Sequence, residues 1–124
     1  MNLRESGEMY LETIYLLKKQ KGLIRAIDIG EYMGYSKPSI SRAVSLLKQG
    51  NFITVSKEGY IELTKAGEEV AQKIFARHTI LTEFLISIGV SERTATEDAC
   101  KIEHDLSDET FLALKSFVDA LKKK

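Results

Sequence analysis

The sequence holds one cysteine, one proline and no tryptophan among 124 residues, and it contains no long apolar run. A single cysteine excludes an intrachain disulfide, so Cys100 is left to packing, ligation or nucleophilic chemistry. Apolar stretches fall well short of the ~18 residues that span a bilayer. The opening Met1-Asn2-Leu3-Arg4-Glu5-Ser6 turns charged at once and has no apolar signal core. No membrane association or secretion is expected, and a cytoplasmic location is. Also missing are a glycine-rich phosphate loop, a nucleophile elbow and a His-Glu-x-x-His pair. A metalloenzyme using Cys100, Glu103 and His104 as catalytic groups therefore has no supporting motif. Neither an enzyme nor a small organic substrate is expected.

What is present is globular. Hydrophobic residues make up 44% and charged residues 29%, and a chain of this length buries roughly two-thirds of its unfolded surface without a staple. Net charge is zero, yet the charge is segregated. From Ser36 to Lys57 there are four cations (Lys37, Arg42, Lys48, Lys57) and no acid. From Glu92 to Glu109 there are seven acids against Arg93 and Lys101. One surface suits phosphates and the other suits cations.

Spacing predicts a first helix over about Glu5–Gln20, with Met9, Tyr10, Thr13, Ile14 and Leu17 on one face. A short second helix follows over Ala26–Met33, stopped by Gly34 in a left-handed cap. Ser36 caps a third helix with Pro38 in its first turn, where a missing N–H is harmless. Ile40, Ala43, Val44 and Leu47 form its inner face. Phe52–Val55 and Tyr60–Leu63 read as a hairpin around Ser56-Lys57-Glu58-Gly59. A long fourth helix then starts near Thr64, apolar at Val70, Ile74, Phe75, Leu81, Phe84 and Leu85, and Gly89 ends it. A fifth helix is expected from Ser91 to about Leu106, and a sixth from Asp108 to Leu121 with a Phe111, Leu114, Val118 and Leu121 stripe. The expected fold is mainly α: a winged helix-turn-helix over residues 1–70, then an all-helical dimerisation and metal-binding domain over 71–124. The stripe on the sixth helix is the dimerisation candidate, and packing on the fourth helix is the bland alternative.

The third helix offers Ser36, Lys37, Pro38, Ser39, Ser41, Arg42, Ser45 and Lys48 opposite its apolar face, and Lys57 stands at the wing tip. Arg42 has the fork for a guanine edge, the serines donate to phosphates or bases, and the lysines are point charges for the backbone. A solvated polar face is the bland alternative. The proline-started helix, the wing and the absence of acids together favour double-stranded DNA as the partner.

Cys100, Glu103 and His104 fall at i, i+3 and i+4, on one helical face. A thiolate, a carboxylate and an imidazole suit Fe²⁺, Mn²⁺, Co²⁺ or Zn²⁺. Met9 and Glu12, one turn apart on the first helix, are candidates to complete the site, and His78 sits on the fourth helix. Taken singly, each of these residues has an ordinary structural reading; the adjacency of Glu and His beside a cysteine face is what core packing does not require.

These residues resemble a known family, the metal-dependent transcriptional repressors of the diphtheria-toxin and manganese-transport regulator type. Glu8-Met9-Tyr10-Leu11-Glu12-Thr13-Ile14-Tyr15 is similar to the family's first helix, and Ser36-Lys37-Pro38-Ser39-Ile40-Ser41 to the start of its recognition helix. Ala76-Arg77-His78 through Gly89-Val90 resembles its linking helix, and Cys100-Lys101-Ile102-Glu103-His104-Asp105-Leu106-Ser107 its ligand helix. The resemblance implies a homodimer that binds operator DNA when loaded with Fe²⁺ or Mn²⁺ and represses metal-uptake genes. It puts ligands at Met9, Cys100, Glu103 and His104, the iron-type set, while Glu12 and His78 match a second centre of the manganese type. An ancillary site of the iron type would need better ligands than Thr82 and Thr96. The resemblance implies the layout of the family's shorter members, without the extra carboxy-terminal domain of many iron-type members. Fe²⁺ is the first expectation and Mn²⁺ the second, with Zn²⁺, Co²⁺ or Ni²⁺ as further occupants in vitro. The competing expectation is a winged-helix regulator that senses an organic ligand or oxidation of Cys100.

Overall fold

Apolar residues at helical spacing draw Glu5–Lys21 into the first helix, α1, in the computed structural model. The structure describes residues 5–123; Met1–Arg4, part of the opening read above for its lack of a signal core, and Lys124 lie outside the described residues. The chain divides into two units, residues 1–72 and 73–124.

In the first unit α1 is followed by α2 (Ala26–Met33), α3 (Lys37–Gln49), β1 (Ile53–Val55), β2 (Ile61–Leu63) and the start of α4 (Lys65–Ser87). Leu11, Ile14, Ile24, Ile29, Ile40, Leu47, Ile53 and Ile61 are buried in one core. Gly34 ends α2 at φ +73°, its N–H donating to Gly30 O at 2.8 Å, so the turn into α3 is made by a residue free to adopt that conformation. The Ser36 hydroxyl accepts from Ser39 N and opens α3. The strands pair antiparallel with Thr54 opposite Glu62. Both begin one residue later than expected, β1 because Asn51 is left-handed, at φ +64°, and Phe52 N–H still bonds back to Leu47 O of α3 at 3.0 Å. The wing is fastened on its other edge, where Ile61 N–H donates to Ile24 O at 2.9 Å and Lys18 pairs with Glu62.

The second unit comprises the rest of α4, α5 (Glu92–Ile102) and α6 (Asp108–Lys122). Ser91 and Ser107 cap α5 and α6 through the N–H groups of Thr94 and Thr110. Three expectations need correction. Helix α5 stops at Ile102 rather than near Leu106: the carbonyls of Glu103 and Leu106 take Arg77 as their donor, and Ser107 needs extended backbone to cap α6. Phe75, read as an inner-face residue, is 36% exposed. The α6 stripe does not lie open for a partner; Val118 is buried, Phe111 and Leu114 are half-buried, and only Leu121 of the four is exposed. The apolar surface left open in this unit is instead Ile86, Ile88, Ile102, Leu112, Phe117 and Leu121, together with Phe75. Among the described residues no helix is long and apolar enough to cross a membrane.

Candidate metal centre and nucleic-acid interface

On α3, Lys37, Pro38, Ser41, Arg42, Ser45 and Lys48 are exposed, as are Ser36 before it and Lys57 in the wing turn. Ile40 and Leu47 hold the opposite face in the core, so helical geometry alone aims Arg42 and Ser45 outward. Ser36 and Ser39 are partly committed to the cap, their hydroxyls 3.0 Å apart. Sequence reading missed Leu46, which is 55% exposed and lies on the outward face beside Arg42. An apolar residue outside the inner-face period was the available signal. Arg25 was missed too. It is exposed before α2 and stacks over the Tyr60 ring of the wing at 4.7 Å.

In the second unit, α4 and the end of α5 bring three donors together. His78 Nδ1 lies 2.9 Å from Glu103 Oε2 and 3.8 Å from Cys100 Sγ, and the ligand atoms of His78, Cys100 and Glu103 all fall within 4.8 Å of one another. Cys100 is exposed, His78 is half-buried and Glu103 is fully buried. His104 follows beyond the helix end, its side chain buried, with Nε2 3.5 Å from Glu103 Oε1. Met9 and Glu12, half-buried on α1, belong to the first unit.

The donor set fits a divalent transition ion on the structure's own terms. A buried carboxylate is strongly unfavourable unless its oxygens are paired, and Glu103 Oε1 is buried with no hydrogen-bond partner among the described residues. Thiolate, imidazole and carboxylate form the mixed set that first-row ions accept, with bonds of about 2.0–2.3 Å. The spacing of the three donors is close to what one such ion imposes.

Two family models match consecutive stretches of the chain: the iron-dependent repressor N-terminal DNA-binding domain over residues 2–67, and the iron-dependent repressor metal-binding and dimerisation domain over 64–124. The chain is 33% identical over 124 residues to an uncharacterised HTH-type transcriptional regulator of Methanocaldococcus jannaschii, covering 98% of itself and 99% of that relative. It is 36% identical over 102 residues to the HTH-type transcriptional regulator MntR of Geobacillus kaustophilus, covering 82% of itself and 72% of that protein. Among solved structures, that of the manganese regulator SloR superposes with a TM-score of 0.81 at 28% identity, covering 96% of this chain and 55% of the other. The chain thus spans about half the length of that neighbour.

Proposed function

The chain belongs to the iron-dependent repressor family of metal-dependent, DNA-binding transcriptional regulators, and from that premise we propose that it is a cytoplasmic homodimer that binds double-stranded operator DNA when loaded with Fe²⁺ or Mn²⁺ and so controls metal-uptake genes. The observation that carries the reading is the buried, half-satisfied carboxylate of Glu103 with His78 and Cys100 around it. The family is one of regulators rather than enzymes.

Residues 1–70 read DNA and residues 71–124 hold the metal and pair the protomers. The ligand set is His78, Cys100, Glu103 and His104, with Met9 and Glu12 added from α1. A cation bound there would pair with the Glu103 oxygen that has no hydrogen-bond partner among the described residues. Affinity for an ion would rise with pH, because thiolate and neutral imidazole are the ligating forms of cysteine and histidine. The thiolate and thioether favour Fe²⁺ over the harder Mn²⁺. Zn²⁺, Co²⁺ and Ni²⁺ are expected to bind in vitro by the general affinity order. In this reading metal occupancy and DNA affinity are thermodynamically linked, and a coupling of about 1–3 kcal/mol corresponds to roughly a 5- to 150-fold change.

On the DNA side, Arg42 reads a base edge, while Ser36, Lys37, Pro38, Ser39, Ser41, Ser45 and Lys48 fix the helix in the groove and Lys57 reaches an adjacent phosphate. Two copies related by a dimer axis present their α3 helices to successive major grooves.

The test is anaerobic fluorescence anisotropy with DNA from upstream of the coding region, at fixed ionic strength. Metal-free protein is compared with protein loaded with Fe²⁺ or Mn²⁺. Loading is expected to tighten binding 5- to 150-fold or so, and His104→Ala to abolish the effect while remaining folded. Equal affinity with and without metal overturns the proposal. It would leave the competing reading, a regulator sensing oxidation, which the exposed Cys100 sulfur beside His78 favours.

A further inference from the structure

Glu103 is the C-cap of α5, still at helical φ −57° and ψ −26°, and His104 follows in the turn beyond it, so α5 sets where this segment starts but not the path of the chain after Glu103. The amide side of this segment is tied back: Glu103 N–H donates to Ala99 O, and Asp105 N–H to Ile102 O, both at 3.0 Å. The carbonyl side is held from another helix. Arg77 of α4, only 5% exposed, donates through Nη1 to Glu103 O at 3.2 Å and to Leu106 O, and through Nη2 to Asp108 Oδ1 at 2.6 Å. Lys73, one turn earlier, reaches the same Asp108 oxygen at 3.1 Å. These two cations, Lys73 first, hold the Asp108 carboxyl below its usual range. The Arg77 guanidinium also lies over the Phe111 ring, 5.8 Å from its centroid. The next residue of α4, His78, meets the Glu103 carboxylate at 2.9 Å. Consecutive residues of α4 therefore grip Glu103 at its backbone carbonyl and at its side chain.

We propose that Arg77 is a positioning residue for the metal centre, its buried guanidinium clamping the 103–108 turn so that Glu103 and His104 are set before an ion arrives. The proposal rests on the metal-centre reading above and deepens it. A buried cation making three hydrogen bonds to one short turn is more than packing requires. The planar fork serves two carbonyls and a carboxylate in one pre-organised geometry, which lysine's flexible ammonium does not provide. Residues that orient ligands from outside the coordination shell are typically worth 10- to 100-fold in metal affinity.

The full chain, freed of metal, is titrated anaerobically with Mn²⁺ and with Co²⁺, by calorimetry and by the visible spectrum of bound Co²⁺. Wild type is compared with Arg77→Met, Arg77→Lys and Glu103→Ala, and amide exchange is followed across residues 100–108. Arg77→Met is expected to weaken both ions about 10- to 100-fold, to alter the Co²⁺ spectrum and to lose amide protection at residues 103–107, while α2 and the first turns of α5 keep theirs. Arg77→Lys is expected to recover part of the affinity. Wild-type affinity in folded Arg77→Met, alongside loss in Glu103→Ala, refutes the clamp and leaves the metal centre standing. Wild-type affinity in both variants removes the metal centre and the clamp with it. If Arg77→Met does not fold, Asp108→Asn keeps Arg77 but removes the charge that anchors Nη2. It is expected to weaken Mn²⁺ binding and loosen the same amides, and unchanged affinity there also overturns the proposal.

Discussion

Gly67→Ala should destabilise the first unit, although glycine-to-alanine changes inside helices ordinarily stabilise. Gly67 lies in the first turn of α4, pressed against the start of the wing. A Cβ there would stand 2.0 Å from Phe52 O, 3.0 Å from Phe52 C and 3.3 Å from Leu63 Cδ2. Roughly 1 Å of separation must be added to reach even 3.0 Å from that oxygen. The oxygen cannot simply give way, because it accepts from Thr64 N–H at 3.0 Å. The Thr64 hydroxyl in turn donates to Asn51 O at 2.7 Å and accepts from Gly67 N–H at 3.1 Å. Overpacking of this kind costs about 1–3 kcal/mol, and losing one such hydrogen bond a further ~0.5–1.5 kcal/mol. The gain in helix propensity offsets ~0.5–1 kcal/mol. The net destabilisation is about 2 kcal/mol, which lowers a urea midpoint by roughly 0.7–2 M for m near 1–3 kcal/mol/M. Gly30→Ala on α2 is the control. Its Cβ meets Ile40 Cγ1 at 3.6 Å and Tyr35 O at 3.7 Å, ordinary contacts, so it should stabilise by ~0.5–1 kcal/mol. Urea unfolding of metal-free protein at one fixed concentration compares them, since ligand and association both move apparent stability. A Gly67→Ala variant as stable as wild type would refute the packing of α4 against the wing.

Three further outcomes are expected. Arg42→Ala should weaken operator binding while leaving Mn²⁺ affinity at the wild-type value; a parallel loss in calorimetry would show that reading and metal binding are not separable in this way. Phe117→Glu, which places a charge in the exposed apolar surface of α6 beside Phe84, should halve the mass seen by light scattering at micromolar concentration, and a retained dimer would put the seam elsewhere. Asp28 accepts from Arg25 N–H at 2.8 Å, the main reason its carboxyl sits below the usual range. A depressed folded value means its stabilisation is complete above the ordinary aspartate pKa and disappears as pH falls through the folded one. Wild type should therefore exceed Asp28→Asn by ~0.3–1 kcal/mol near neutrality and converge with it in acid, and a gap independent of pH would contradict the assignment.

Local rules suffice where a residue's own chemistry ends or begins an element. Gly34 in its left-handed cap sets the end of α2 at Met33, and Ser36 with Pro38 sets the start of α3, so the bounds of the reading head were legible residue by residue. The charge pattern likewise told which face of α3 would stay in water, because Ile40 and Leu47 leave no other choice. Periodicity failed where a distant group competes with the helix. Nothing local says that the carbonyls of Glu103 and Leu106 will take Arg77, 26 and 29 residues away, so periodicity alone carries α5 past Ile102 and puts its ligands on one continuous helical face. Nor does spacing show that the α6 stripe turns inward, since an amphipathic face looks the same whether its partner is the same chain or another. The kinds of donor, and the family they resemble, were in the sequence. Which of them meet, with His78 Nδ1 2.9 Å from Glu103 across 25 residues of chain, was decided by the packing of α4 on the end of α5, because only tertiary contact brings together groups that no helical period relates.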